Sequence, residues 1–532
     1  MTKRIDVPDR RSRRPGDALV QHRGILVALI CAALTALPFA AEAALNVPKA
    51  KCGSNDRPET GLQGQTSNAE RANGAAEKGF SCNLELVSQF QGEGASYGFA
   101  WYDHCGYYGT ANGPKQAHPG VVVVDAQDRK KVQATAYLNS RAFLEPWESL
   151  KVHEGRKLLG GTKGLGRSVD DKYYAFYDVT DCAHPVLLSD IEVAGSIGHA
   201  GNFTPDGMTY FGTYTLGPGV TVLDITDPKS PKLLLHSTDY TVHDVAFRAD
   251  GNRAYFTQLP LGPTPPPNGL VIVDTSDIQS RKANPQLRTV GMLTWEDGAN
   301  AQQTVPVTWG GKPYLIFSDE RGAKGSGQAA KEAACSAGLP PHGFARIIDI
   351  SDEANPKVVS KLMLEVSDPA NCSKVLGDVD RYSYSSHYCN VDRIADPTIL
   401  ACTWREGGLR VFNVRDPIHP SEIAYYKPPA RRTQFLPGSI FYNDTSTATT
   451  DGDRTGDQTP TNVRFVLDKK ELWFTSQDNG FQIVRFTNGV GLDSGGGGCS
   501  TGGASVVAFG AIVVTLLLTR RSRRRGSQAA PR

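Results

Sequence analysis

The sequence lacks several short motifs by which enzyme classes are recognised. It contains no P-loop, no His-Glu-x-x-His pair and no dinucleotide-binding glycine fingerprint. Its cysteines never occur as Cys-x-x-Cys, which argues against a thioredoxin-like centre and a zinc knuckle. The function must therefore be inferred from the architecture of the chain.

The chain also lacks a strong excess of charge of either sign. Residues 44–498 hold 44 of the 57 basic and 51 of the 55 acidic residues, a net charge of about −7. A mildly acidic surface has no general affinity for phosphate backbones, so we expect no nucleic-acid partner. With 532 residues, 39% of them hydrophobic, the chain is long and apolar enough to bury a large core.

The N-terminus has the features of a secretory signal peptide. Five arginines between positions 10 and 23 precede an apolar run from Gly24 to Ala41, and Ala43 is small at the position that signal peptidase reads. Residues 1–43 are therefore predicted to be removed. An N-terminal membrane anchor is the alternative, but the apolar run is short.

The C-terminus combines a Gly-rich linker at 489–503, an apolar stretch at 504–519 and a basic tail at 520–532. The stretch is shorter than the ~20 residues of a stable span, and its basic flank should stay cytoplasmic. This order resembles the sorting signals that rhomboid-like or sortase-like proteases cleave, which implies that Cys499 is the processing or lipid-attachment residue. A plain tail anchor is the alternative. Both place the central part of the chain outside the cytoplasm.

Seven copies of one β-branched motif organise residues 83–488. The copies lie at 121–125, 174–178, 220–224, 270–274, 346–349, 409–413 and 481–485. Each is a short apolar run, and the first six end in Asp or Asn with a second Asp three residues further on. Such side chains accept hydrogen bonds from downstream amides, so the spacing predicts a tight turn between strands. Hairpin signals upstream complete four short strands per copy.

Four-stranded units without helices between them predict an all-β fold, a seven-bladed β-propeller. The last unit lacks its fourth strand, and residues 84–90 form an unassigned strand before the first unit. We expect this strand to close the last blade, because the pairing removes two exposed edges. Rings of six or eight blades are the alternatives. Residues 44–82 form an N-terminal extension, and long insertions are expected at 322–341, 368–384 and 428–460.

The copy Leu270-Val-Ile-Val-Asp274 resembles the motif of the LVIVD-repeat family of exported β-propellers. The resemblance covers residues 83–488 and implies the propeller fold. It implies no particular activity, since propellers serve both as enzymes and as binding modules.

Three histidines occupy equivalent positions near the start of their units. His199 and His243 lie seven residues before a turn aspartate, and His387 lies nine before Asp396. Equivalent positions in a propeller form a ring at the channel mouth, so these imidazoles are predicted to hold a divalent transition metal such as zinc or copper. Hydrogen bonding to a neighbouring blade is the alternative. The corresponding rim positions in other units are Tyr97, Trp147, Gln303 and Asn462.

Acidic residues provide two weaker candidate sites. Glu93 and Glu148 lie near the same rim as candidate acid–base groups, without an evident partner. Asp451, Asp453 and Asp457 offer oxygen ligands for Ca²⁺, although their spacing differs from that of an EF-hand loop. A solvated loop is the alternative.

Eight cysteines remain in the exported part of the chain, an even number that favours disulfides. The expected pairs are Cys389–Cys402, Cys335–Cys372, Cys52–Cys82 and, by elimination, Cys105–Cys182. The first pair falls in register across a predicted hairpin. The second joins two insertions, and the third fastens the N-terminal extension.

These observations favour a monomeric binding or scaffold module for a protein, glycan or small ligand. It would be anchored at the cell surface or in the envelope, through residues 504–519 or a lipidated Cys499. The alternative is a metal-dependent enzyme of oxidoreductase type with the three histidines as ligands, by analogy with the copper-dependent selenium-binding propellers. A purely structural envelope protein is the third hypothesis.

Overall fold

The computed structural model describes residues 46–111, 116–164, 172–196, 198–260, 267–377, 384–432, 434–440 and 455–491. All of them belong to a unit of residues 45–532, separate from residues 1–44. The predicted signal peptide with Ala43, most of the linker with Cys499, the apolar stretch at 504–519 and the basic tail lie outside the described residues. Within the described ranges, no helix has the length and apolar character to cross a membrane.

Seven antiparallel sheets form the blades of a ring, which confirms the predicted seven-bladed, all-β propeller. Blade one contains Phe99–Tyr102, Cys105–Gly109, Val121–Asp125 and Gln133–Leu138, and blade two contains Lys151–His153, Leu158–Thr162, Tyr173–Asp178 and Val186–Glu192. Blade three contains Ala200–Phe203, Thr209–Thr213, Val220–Asp224 and Lys232–Ser237, and blade four contains Val242–Phe247, Arg253–Gln258, Gly269–Asp274 and Arg288–Thr294. Blade five contains Ala299–Trp309, Lys312–Arg321, Ala345–Asp349 and Lys357–Leu362, and blade six contains Cys389–Val391, Ile399–Trp404, Gly408–Asn413 and Ser421–Lys427. Blade seven contains Arg464–Val466, Glu471–Ser476, Gly480–Phe486 and Leu84–Phe90.

Short helices lie in the connections. The α-helices are Asn68–Ala72, Ser276–Gln279, Gln328–Ser336 and Cys372–Val375, and the 3₁₀ turns are Ala76–Lys78, Glu154–Arg156, Glu365–Ser367, Pro369–Asn371, Arg405–Gly407 and Leu467–Lys469.

The repeated apolar run is the third strand of each blade, and its continuous hydrophobicity has a simple cause. Both faces of a blade are covered by neighbouring blades, so alternate side chains enter two different cores. Val121 and Val123 pack between blades one and two, whereas Val122 and Val124 pack between blades one and seven.

The Asp or Asn that ends each of the first six runs makes the turn that the sequence predicts. Asp224 Oδ1 accepts from the Thr226 amide at 2.9 Å, and Asp274 Oδ1 accepts from the Ser276 amide at 2.8 Å. The second aspartate does the same further on, as Asp227 accepts from the Lys229 amide at 3.0 Å. Local hydrogen bonds therefore set the connection from the third to the fourth strand.

The N-terminal strand closes the ring, as predicted. Leu84–Phe90 pairs antiparallel with Gly480–Phe486, with Leu84 opposite Phe486 and Phe90 opposite Phe481. The first and last parts of the propeller thus share one sheet, and the third strand of blade seven gains the partner that it would otherwise lack.

Blade six has a fifth, outermost strand that the sequence analysis missed. Phe80–Cys82 pairs with Ser421–Lys427, so part of the N-terminal extension belongs to this sheet. Three residues are too few to show an alternating pattern, which is why the strand is not visible in the sequence.

Four disulfides join Cys52–Cys82, Cys105–Cys182, Cys335–Cys372 and Cys389–Cys402, the pairs expected from the sequence. Cys389 and Cys402 lie opposite each other on the first two strands of blade six. Cys335 and Cys372 join two insertions. Four disulfides indicate an oxidising environment, as in exported proteins.

The long insertions share one face of the ring. In an antiparallel four-stranded blade, the start of the first strand lies on the same face as the ends of the second and fourth. The insertions follow the second strand of blade five and the fourth strands of blades five and six. They therefore surround the face at which the innermost strands begin, here called the upper face.

Candidate metal centre

Five acidic and imidazole side chains meet in the channel near the upper face. They are Glu148, His199, His243, Glu320 and His387, here called the channel cluster. His199, His243 and His387 are placed by the starts of innermost strands, and Glu320 by the end of the second strand of blade five. The exposed fraction of each is 8% or less.

One oxygen of Glu148 faces two of the predicted histidines. Glu148 Oε2 lies 3.3 Å from His199 Nε2 and 3.0 Å from His243 Nε2. The two Nε2 atoms are 3.2 Å apart. These three atoms, the first triad, come from the regions that precede or begin the innermost strands of blades two, three and four.

The third predicted histidine lies at the other oxygen of the same carboxylate. His387 Nε2 is 3.2 Å from Glu148 Oε1 and 3.2 Å from Glu320 Oε1. These three atoms form the second triad. The structure therefore brings all three histidines to Glu148 but divides them between its two oxygens.

The spacing within the first triad suits a metal ion. Ligand atoms at about 2.1 Å from an ion are about 3.4 Å apart in a tetrahedron and about 3.0 Å apart in an octahedron. The separations in the first triad are 3.0, 3.2 and 3.3 Å. An ion above this triangle would reach all three atoms with little rearrangement.

The electrostatics of the site also suit ligation. Burial raises the pKa of Glu148, but the charges of His243 and His387 and hydrogen bonds from His199 and His243 outweigh it and hold the pKa well below its usual value. Burial lowers the pKa of His199. Metals bind ionised carboxylates and neutral imidazoles, so an ion would take the place of the protons that give His243 and His387 their charge.

Gln302 and Tyr388 hold the Glu148 carboxylate in place. Gln302 Nε2 donates to Glu148 Oε2 at 3.0 Å, and the Tyr388 hydroxyl donates to the same oxygen at 3.3 Å. The repeat alignment places Gln303 in register with the histidines, whereas in the structure the neighbouring Gln302 makes this contact. The register of the blade-five hairpin shifts between Ala301 and Gln303, and the bulged residue Gln302 points to the cluster.

Gln303 and Asn462 contact each other instead of the cluster. Gln303 Nε2 donates to Asn462 Oδ1 at 3.3 Å, and Gln303 Oε1 accepts from the Cys389 amide at 2.7 Å. Asn462, Lys151 and Asn202 help to line a cavity of about 140 Å³ further along the innermost strands.

An aromatic pair lies beside the histidines at the rim. The rings of Tyr97 and Trp147 are 4.5 Å apart, Tyr97 is 5.8 Å from His387, and Trp147 is 6.2 Å from His199. Trp147 has a φ of 47°, which is unfavourable for a bulky side chain. Such backbone strain persists where the surroundings hold a residue firmly, and it is frequent at binding sites.

The other acidic candidates lie apart from the cluster. Glu93 Oε1 is 2.9 Å from His118 Nδ1 and belongs to a separate pair. Asp457 accepts from the Asp478 amide at 2.9 Å and from Asn479 at 2.6 Å, so it caps the turn of blade seven. Asp451 and Asp453 lie outside the described residues, and the calcium site remains a prediction.

Sequence reasoning missed Glu320 and Arg405, which contacts the Glu320 carboxylate. Glu320 lies at the end of the second strand of blade five, and Arg405 follows the second strand of blade six. An alignment of first strands could not include either residue. Comparing the ends of the second strands would have been the signal to use.

The chain matches no family model and no curated protein, so the LVIVD resemblance remains a prediction. Among solved structures it is similar to the hydrazine synthase of Kuenenia stuttgartiensis, with 13% identity and a TM-score of 0.44, covering 77% of this chain and 98% of that one. It is also similar to the β-propeller domain of Cps50 (Swd1) from Myceliophteria thermophila, with 10% identity, a TM-score of 0.45 and coverage of 76% and 100%. These likenesses concern the fold alone.

Proposed function

We propose that this protein is an exported β-propeller that binds a divalent transition-metal ion in its channel and uses it to hold a small ligand. His199 Nε2, His243 Nε2 and Glu148 Oε2 would be the protein ligands. The observation that carries the proposal is the convergence of these three atoms to within 3.3 Å of one another in a buried site.

Hydrogen bonding alone explains this convergence poorly. Gln302 and Tyr388 already donate to Glu148 Oε2, and a carboxylate oxygen has about two lone-pair sites. Two further imidazole donors would bring the number to four. If the imidazoles instead offer lone pairs to an ion, Glu148 Oε2 has two hydrogen bonds and one metal bond in place of four hydrogen bonds.

The donor set indicates the class of metal. Two imidazole nitrogens and one carboxylate oxygen suit Zn²⁺, Cu²⁺ and Fe²⁺, whereas Ca²⁺ and Mg²⁺ prefer oxygen ligands alone. Three protein ligands leave at least one coordination position open. That position supports a binding role and leaves the enzyme hypothesis as the alternative use of the same ion.

The rim supports entry of a ligand from the upper face. Tyr97 lies beside His387 and Trp147 lies beside His199, and the long insertions surround the upper face. Loops that tolerate insertion around a rigid ring are where propellers and other folds build binding surfaces. The envelope location is part of the same proposal, with the four disulfides as its support.

Elemental analysis of the purified, untagged protein tests the proposal. We expect Zn²⁺ to remain bound after dialysis at one ion or more per chain, and His199→Ala with His243→Ala to lower that number. His184→Ala with His419→Ala is the matched control, because both histidines are exposed on turns and should not alter metal content. Equal metal content in both double variants and the wild type would refute the site.

A further inference from the structure

The second triad contains an imidazole nitrogen whose surroundings call for a cation. His387 is fully buried, and its Nδ1 faces the Pro460 carbonyl oxygen, which fixes the proton of a neutral ring on Nδ1. Its Nε2 then presents a lone pair to Glu148 and Glu320. Within the part of the chain that the structure describes, this Nε2 has no hydrogen-bond partner, although two carboxylate oxygens lie 3.2 Å away.

The three atoms of the second triad have the same spacing as those of the first. A lone pair facing two carboxylate oxygens is repulsive unless a positive charge lies close to them. Arg405 supplies such a charge to Glu320 Oε1, whereas Glu148 Oε1 faces the His387 imidazole. A proton on Nε2 would supply one charge, but neither oxygen has the geometry of a hydrogen-bond acceptor for it. A metal ion needs no such alignment with a single N–H direction.

Glu148 connects the two triads through different oxygens. Oε2 belongs to the first triad and Oε1 to the second. A carboxylate that offers one oxygen to each of two ions is a common bridge in two-metal sites, where the ions lie about 3.5–4 Å apart.

Surrounding residues hold the second triad in position. Arg405 contacts Glu320 Oε1, the oxygen of the second triad, and Asn300 contacts Oε2. The Pro460 carbonyl orients His387. Such outer contacts are typical of metal ligands, which are rarely left free to rotate.

We infer that the channel holds two metal ions, with Glu148 as the bridging ligand and with His387 and Glu320 completing a second site. This inference rests on the proposed function for its first ion. The inference adds a second ion to the proposed function, and it makes His387 a ligand of that second ion only.

The number of ions bound per chain tests the second site separately from the proposed function. Untagged full-length protein loaded with Zn²⁺ and dialysed should retain two ions per chain, and Glu320→Gln or His387→Gln should retain one. A value of one for the wild type, unchanged in these variants, overturns the second site and leaves the proposed function intact. A value of zero overturns both.

Cu²⁺ loading provides a second measurement that does not depend on the variants folding. Two bridged Cu²⁺ ions should couple, so the wild type should show clearly less electron paramagnetic resonance intensity than its copper content predicts. A full-intensity signal from two bound ions would overturn the bridge. Glu93→Gln is the control, because it removes a buried carboxylate near the upper face that faces His118 and should retain two ions.

Discussion

Two buried polar clusters of this molecule are built from the same kinds of charge and differ in how that charge is balanced. The extension network joins Glu59 of the N-terminal extension to Arg410, Glu422 and Lys427 of blade six. Arg410 donates to Glu59 at 2.7 and 3.0 Å and to Glu422 at 3.0 Å, and Lys427 lies 3.5 Å from Glu59. In the channel cluster Arg405 pairs with Glu320, whereas the basic groups around Glu148 are imidazoles.

The two clusters differ in whether the protein's own groups neutralise the buried carboxylates. A guanidinium is always charged and carries several donors, so it neutralises and satisfies the carboxylates that it faces. A neutral imidazole has one donor and one lone pair and brings no charge. The extension network therefore fastens the extension to blade six, whereas the channel cluster is suited to a cation from outside.

The largest expected effect comes from breaking the extension network. Arg410→Met leaves Glu59 and Glu422 buried without their main partner, and such a loss costs about 3–5 kcal/mol of unfolding free energy. Urea unfolding should show this loss with and without EDTA. Arg485→Met, which removes an exposed pair with Glu85, should cost about 1 kcal/mol or less. Similar losses in both variants would contradict the comparison.

The contribution of Lys427 to the unfolding free energy should depend on pH, whereas that of Arg410, which is always charged, should not. Burial lowers the pKa of Lys427 from 10.5 to about 8. Between these values the unfolded chain binds a proton that the folded chain does not, so this lysine makes stability rise with pH by about 1.4 kcal/mol per unit. Below pH 8 the lysine is protonated in both states, so the cost of burying its charge is fully present.

Lys427→Met removes this contribution. Between pH 8 and 9.5 we expect the unfolding free energy of the wild type to rise by about 1.6 kcal/mol relative to that of the variant. Unfolding in urea at several pH values measures the difference. Parallel curves for the two proteins would show that Lys427 keeps its ordinary pKa.

Metal should stabilise the protein through the channel cluster alone. At a free Zn²⁺ concentration of 100 times Kd, one bound ion adds about 2.7 kcal/mol. We expect at least this gain in the wild type and in Lys427→Met, and a smaller gain in His199→Ala, in which only the second triad is complete. An undiminished gain in His199→Ala would place the first ion elsewhere.

The smallest effect should separate two neighbouring glutamines. Gln302→Ala removes a hydrogen bond that orients Glu148, and loss of such a contact weakens metal affinity about tenfold or more. Gln303→Ala should leave the affinity unchanged, because Gln303 contacts Asn462 and Cys389. Competition with a fluorescent zinc chelator measures both. The reverse order would restore the assignment made from the sequence.

The fold was accessible from the sequence because its information is local and repeated. Residues such as Asp224 and Asp274 close turns with amides two positions away, and runs such as Val121–Asp125 are apolar because both faces of a blade are buried. Ring closure followed from a strand without a partner at each end of the repeats.

The candidate site was accessible only in part. Repeat alignment identified His199, His243 and His387, because equivalent positions converge on the axis. The alignment selected Gln303, whereas Gln302 contacts Glu148. The reason is a β-bulge, which changes the register without leaving a mark in the sequence. The alignment did not include Glu320, because Glu320 lies at the end of a second strand and the histidines lie at the starts of first strands.

The seven blades and the strand that closes the ring were predictable from the sequence, since turn chemistry and hydrophobic periodicity act over a few residues at a time. The position of Glu148 between three histidines, with each of its oxygens facing a different set, arises only when the blades are assembled. Those distances depend on how blades two to six are arranged around a common axis. A site assembled from five blades has no counterpart in any short stretch of the chain.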